Sequence, residues 1–405
     1  METKRRVSSF LFLSFSVFVT VTGVAGEGTN KPSMTARLIT VFMCGDVMTG
    51  RGIDQILPHP SAPALHEPYV KNAKGYVELA ERVNGPIRQP VDYSYIWGEA
   101  LDELERRAPD LRMINLETSL TKSEDYWNGK EIHYRTNPEN IPCITAAKID
   151  CCSLANNHIL DWGYPGLRET LETLKRVNVK SAGAGENREA AETPAVMEVE
   201  GKGRVLVFSF GSETSGIPPS WAASEERPGV NLLTDLSTRT VQNVGERVRE
   251  VKKPGDIAVA SIHCGGNWGY PVPYEQREFA HQLIDGAGVD VIHGHSSHHV
   301  KGMEVYRGKL VIYGCGDFLN DYEGIGGYAS FRGDLALMYF VSVDPSTGKL
   351  MGLQMTPTQV KRFRVNRASR IDALELREVL NREGKRFGTR VELNEDNTLT
   401  LYWGS

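Results

Sequence analysis

The stretch "DIAVASIHCGGNWGYPVPYEQREFAHQLIDGAGVDVIHGH", residues 256–295, contains one complete structural unit. "DIAVASIH" is a short run of β-branched and small apolar residues with no polar interruption, the pattern of a strand covered on both faces. "YEQREFAHQLIDGA" reads as a helix, and "VDVIHGH" as a second strand. Strand, helix, strand is the repeating unit of an α/β core. Both strands end in histidine.

The same alternation extends in both directions. "RLITVFM" (37–43), "LRMIN" (111–115) and "IDCCSL" (149–154) read as buried strands. A helix is expected over "YIWGEALDELERRAP", closed by Pro109. Another runs through "YPGLRETLETLKRV", where Leu167, Leu171 and Leu174 share one face. A third lies near 238–252. Hairpins are expected at 195–210, turned by Gly201 to Gly203, and at 303–313, giving antiparallel edges. Residues 53–95, rich in Pro, Gly and aromatics, read as an irregular insertion. The main domain is expected over 37–345, with a helix and hairpin over 346–405 as a small C-terminal extension.

The 405 residues are 40% hydrophobic and 24% charged, a globular composition with a net charge of −5. That balance argues against nucleic acid as a partner, since such binding rests on Lys and Arg neutralising phosphates. Lys4, Arg5 and Arg6 precede "VSSFLFLSFSVFVTVTGVAG", an apolar run with a small-residue exit. These are the parts of a secretory signal, expected over residues 1–26, with an uncleaved membrane anchor as the alternative. The expected location is therefore outside the cytoplasm: periplasmic, extracellular or at the cell surface. Six cysteines in an exported chain invite a disulfide reading. Yet Cys44, Cys151, Cys152 and Cys264 sit at the ends of apolar runs, as small buried hydrophobes do. No C-x-x-C spacing marks a thiolate metal site.

Polar residues gather where strands end. The first strand leads to Asp46 and, close behind, Arg51; the second to Asn115 and Glu117; the third to Asn156, Asn157, His158 and Asp161. The fourth ends at His263 and the fifth at His295 and His298. Six of the ten histidines lie between His263 and His299. Any one of these residues read alone is a cap or turn residue. In an open α/β sheet, however, the loops at the carboxyl ends of strands form the ligand crevice. Imidazole and carboxylate converging there suit one or two divalent ions such as Mn, Zn or Fe. His299 is expected at the surface or behind a ligand. Asp317 and Asp321 either orient the ligand histidines or cap a turn.

At these residues the chain resembles a known family. "GDVMTGR", "NLETSLT", "NPENIP", "LANNHILDWGYPGLRETLETL", "SAGAGENREAAETPAV", "HCGGNWGY" and "GHSSHHVKGMEVYRGKLVIYGCGDFLND" follow the order and spacing of the poly-gamma-glutamate capsule synthesis (CapA-type) family. The likeness covers about residues 37–345. That family resembles the calcineurin-like metallophosphoesterases, which implies two sheets packed face to face with helices outside. It implies metal-ligand roles for Asp46, Glu117 (as the bridging carboxylate), Asn157, His263, His295 and His298, with His158 as general acid. Asn115, Asp161 and Asp317 would orient these from behind. "GHSSHH" and "GCGDF" depart from the "GHHPH" and "SLGNF" of many members, so the count of metals stays open.

Two functions from different classes fit. One is an exported metal-dependent hydrolase of a phosphoester or γ-glutamyl-type bond, with Arg51 holding the anionic group. The other is a non-catalytic accessory protein that binds an anionic polymer or its membrane synthase complex.

Overall fold

The computed structural model describes residues 38–404, so the signal or anchor expected over 1–26 lies outside the described residues. Two large sheets carry the fold. The first runs, in spatial order, Thr389–Leu393, Leu399–Trp403, Lys349–Val360, Leu335–Asp344, Ile39–Val47, Leu111–Leu116, Cys151–Ser153 and Lys180–Ala182. From Ile39–Val47 onward its strands are parallel; on the other side they pair antiparallel. The second sheet runs Leu232–Leu233, Gly203–Ser212, Ile257–His263, Val291–His295, Lys309–Ile312 and Met303–Tyr306. Its first five strands are parallel, and the expected hairpins at 195–210 and 303–313 form its antiparallel edges.

Why the strands read as unbroken apolar runs follows from their packing. In Ile39–Val47, the side chains of Ile39, Val41 and Met43 enter the core between the sheets, while Phe42 and Cys44 face outward. In Gly203–Ser212, Val205 and Val207 point in and Leu206, Phe208 and Phe210 point out. Each strand is buried on both faces, so alternation of polar and apolar residues disappears. The outer face of the first sheet is covered by helices including Lys74–Asn84, Ala100–Arg107 and Gly163–Arg176, and that of the second by Thr238–Val251 and Tyr274–Gly286. The result is helix, sheet, sheet, helix. Leu167 and Leu174 are buried in this packing and Leu171 partly so, as their spacing predicts.

Two expectations need correcting. Residues 53–95 are not all irregular: they include most of the helix Arg51–Ile56 and the whole of Lys74–Asn84, which buries Tyr76, Val77 and Ala80. The second correction concerns 346–405. The boundary at 345 falls in the turn of an antiparallel hairpin, and Lys349–Val360 pairs with Leu335–Asp344 along its length. Leu376 and Leu380 of the helix Arg370–Gly384 enter the core between the sheets. These residues complete the sandwich. All six cysteines are buried and free.

Candidate metal centre

The parallel strands of both sheets end at one place, and a local irregularity aims the first ligand into it. Pairing between Ile39–Val47 and Leu111–Leu116 shifts register between Met43 and Asp46. Gly45 sits in this bulge with the Gly316 carbonyl oxygen 1.7 Å from where a Cβ would stand, so only glycine fits. Asp46 N–H then donates to Gly316 O at 3.0 Å, and the carboxylate turns into the gap between the sheets.

Asp46 is the common member of two groups able to hold a cation. Asp46, His263 and His295 offer ligand atoms within 4.8 Å of one another, and so do Asp46, His298 and Asp317. Asn115 Nδ2 donates to Asp46 Oδ1 at 2.7 Å and to Glu117 Oε2 at 3.2 Å. Asp46 Oδ2 is buried and has no hydrogen-bond partner.

The histidine tautomers follow from where the network ends. The Cys44 carbonyl can only accept, so His293 Nε2–H donates to it at 2.7 Å. His293 Nδ1 therefore accepts from the Ser261 hydroxyl at 2.9 Å, and Ser261 Oγ accepts from His295 Nε2–H at 2.9 Å. His295 Nδ1 is left with a bare lone pair. On the other side, His263 Nε2–H donates to Asn157 Oδ1 at 3.1 Å, which bares His263 Nδ1 as well. These two nitrogens face each other at 2.7 Å, and His295 Nδ1 lies 3.9 Å from Asp46 Oδ1. Two lone pairs and a carboxylate oxygen converging without a proton between them fit a divalent cation. If a cation is held at His295 Nδ1, Ser261→Ala frees the ring to rotate. That substitution is expected to weaken metal affinity about 10–100-fold, read by chelator competition.

Burial raises the Asp46 carboxyl and pushes Glu117, which lies against it, well above the usual range. Burial also holds His263 and His295 neutral, the form that ligates metal. For His298, burial works against the charge, but Asp317, 2.9 Å from Nδ1, outweighs it and raises the pKa.

Glu117 Oε1 stands 3.9 Å from both His158 Nε2 and His263 Nε2, at the edge of the cluster. Asp46 belongs to both groups, and Glu117, expected to bridge, belongs to neither. The structure also places Asp317, expected behind the ligands, within the second group. His158 Nδ1 bonds Asp161 Oδ2 at 2.6 Å, and its ring stacks on Tyr134 at 3.7 Å, which leaves Nε2 facing the cluster. Burial and the nearby Lys130 cation depress the His158 pKa.

Arg51 is placed differently from its expected role. Its guanidinium is buried, paired with both oxygens of Asp321 and with Glu67 Oε1 at 3.0 Å, and bonded to Tyr76 OH at 2.9 Å. His299 is fully buried, ringed by Trp268, Tyr270 and Phe331, and accepts from Gly269 N–H through Nε2 at 3.1 Å. Sequence reasoning did not single out Ser261 or Lys130. Lys130 Nζ bonds Asp161 Oδ1 and the Asn157 carbonyl and lies 3.0 Å from His158 Nδ1. Nothing in "NGKEIH" distinguishes that lysine from a surface one.

Comparison with known proteins identifies the family. The family model "Bacterial capsule synthesis protein PGA_cap" matches residues 40–322, a span that includes Asp46, the histidines and Asp317. A Mycobacterium tuberculosis protein named "Probable polyglutamine synthesis accessory protein" is 50% identical over 365 residues, 90% of this chain and 96% of its own. The "PGA biosynthesis protein CapA" of Bacillus subtilis is 25% identical over 89% of this chain and 83% of its own, and the "Capsule biosynthesis protein CapA" of Bacillus anthracis 24% over 70% and 60%. With that match spanning the parallel strands of both sheets and the strand ends between them, this chain belongs to the bacterial capsule synthesis protein family.

Proposed function

We propose that the chain is an exported, metal-dependent hydrolase of the metallophosphoesterase type, serving poly-gamma-glutamate synthesis by cleaving a phosphoester or γ-glutamyl-type bond. One observation carries this reading: two cation-competent groups share Asp46, and one of them joins its carboxylate to two bared imidazole nitrogens. Asp46, His263 and His295 would hold one ion; Asp46, His298 and Asp317 a second. A divalent ion held there supplies Lewis acidity toward a phosphoryl or acyl oxygen. The chain's own groups do the rest. Asp161 fixes the His158 ring with its one proton on Nδ1, so that Nε2 is the atom that takes a proton from the attacking water and passes it to the leaving group. Lys130 neutralises Asp161 and so sets how readily that imidazole takes up a proton. Asn115 holds Asp46 and Glu117 in register.

The test is metal content of the full-length chain by plasma mass spectrometry after growth with Mn, Zn and Fe. We expect up to about two equivalents of a divalent ion, and loss of at least one in His295→Ala. A chain that stays empty after reconstitution overturns the reading.

A second reading draws on the name of the 50% identical relative, which calls that protein an accessory of polyglutamine synthesis. On that reading the centre is structural and the chain acts through a membrane synthase complex. Among the described residues no helix is long and apolar enough to cross a membrane. Turnover by the isolated metal-loaded chain decides for the hydrolase.

A further inference from the structure

The cleft above the metal centre encloses about 1000 Å³, and its walls do not suit a polyanion. Four basic side chains line it: Arg51, Lys130, Arg332 and Lys361. Arg51 is held by Asp321 and Glu67, Lys130 by Asp161, and Arg332 by Asp334, Asp372 and Glu375. Only Lys361 makes no ion pair among the described residues. Glu131, Glu323 and Asp334 face the same space. A polymer with a carboxylate on every residue would find its counter-charges already taken.

The walls are apolar instead. Eight large apolar side chains stand exposed among the described residues, and four of them, Tyr69, Val83, Ile325 and Tyr328, line this one cleft. Tyr69 is 89% exposed and Val83 61%. Leu79 and Val83, one turn apart on Lys74–Asn84, present the same helix face to the cleft. Trp268 lies 5.3 Å from His298 and stacks on Tyr328 at 4.2 Å, so an aromatic path leads from a metal-centre histidine to an exposed tyrosine. Ligand sites pair such apolar walls with a few polar anchors, and apolar surface left in water marks where a ligand covers it.

We propose that the substrate is an amphiphile: a single anionic ester head at the metal centre, carried on an apolar chain that lies along the Leu79–Val83 helix face and the Trp268–Tyr328 stack. This rests on the hydrolase reading above and names its substrate class, a phosphoester of an apolar alcohol.

The test compares ethyl phosphate with monomeric octyl phosphate, by calorimetry on the full-length chain, both metal-loaded and metal-stripped. Octyl phosphate is expected to bind at least about 30-fold more tightly, since each buried methylene adds severalfold. Val83→Ser with Tyr328→Ser, both at exposed positions, is expected to remove most of that ratio. A ratio near one in the wild type overturns the proposal. So does a ratio that the double variant leaves unchanged, or a short γ-glutamyl oligomer that binds more tightly than octyl phosphate. Stripping the metal lowers both affinities but not their ratio. Failure of the metal centre therefore appears in metal content, and failure of the amphiphile proposal appears in the ratio.

Discussion

Asp46→Asn is expected to abolish turnover by about a thousandfold or more, equivalent to about 4 kcal/mol of barrier, and to empty both cation groups at once. The reason is geometric. Asp46 is the only residue common to the two groups, and its Oδ2 has no hydrogen-bond partner among the described residues. Glu117→Gln is expected to cost less, because Glu117 meets the imidazoles only at 3.9 Å. A second readout separates a ligand from a structural carboxylate. Burial raises the Asp46 pKa, with Asp317 adding to the shift. A carboxyl raised in the folded state holds its proton more tightly there than in the unfolded chain. Its contribution to stability therefore falls as pH climbs from the unfolded value through the folded one. Metal-stripped Asp46→Asn should then melt higher than metal-stripped wild type at pH 8, while metal-loaded wild type melts higher than either. A variant that keeps its metal, or that melts lower than wild type when stripped, refutes the shared-ligand role.

What the sequence revealed and what it hid have separate physical causes. Strands buried on both faces announce themselves as apolar runs, so Ile39–Val47, Ile257–His263 and Val291–His295 were legible, and so was the polar residue at each end. The aim of each side chain was not. Asp46 becomes the shared carboxylate because a bulge at Gly45 closes on Gly316, a contact between distant parts of the chain that no local pattern encodes. Asp317 entered a cation group by the same contact, since its strand pairs with Asp46 itself. The helix Lys74–Asn84 escaped notice because proline and glycine crowd its flanks and its buried face is short. The tautomers of His263 and His295 depend on Asn157, Ser261, His293 and the Cys44 carbonyl together. Only the assembled fold brings those four into the two runs of hydrogen bonds that end at these rings.

Arg51→Lys is expected to cost about 3 kcal/mol or more of stability without raising KM for an anionic ester. A basic residue just past a strand end invites the reading that it grips substrate charge. The structure gives the guanidinium other work. Arg51 stands at a left-handed backbone angle, φ 45°, as the first residue of a short helix, and its fork is closed by Asp321 from 270 residues away. Asp321 also accepts from Gly52 N–H at 2.9 Å, while Tyr76 and Tyr134 lie against the guanidinium at 3.9 and 4.8 Å. This knot ties the loop after Asp46 to the segment after Asp317, the two backbones that carry the shared carboxylate and its partner. An ammonium group cannot span both oxygens of Asp321 and still reach Glu67, so two buried carboxylates lose part of their compensation. Were Arg51 a substrate contact instead, lysine would preserve the charge, stability would hold, and KM would rise with the changed geometry. Urea unfolding and KM measured on the same variant therefore give opposite patterns for the two roles. The pattern expected here is a lowered unfolding midpoint with KM unchanged, together with weaker metal retention as the two loops loosen.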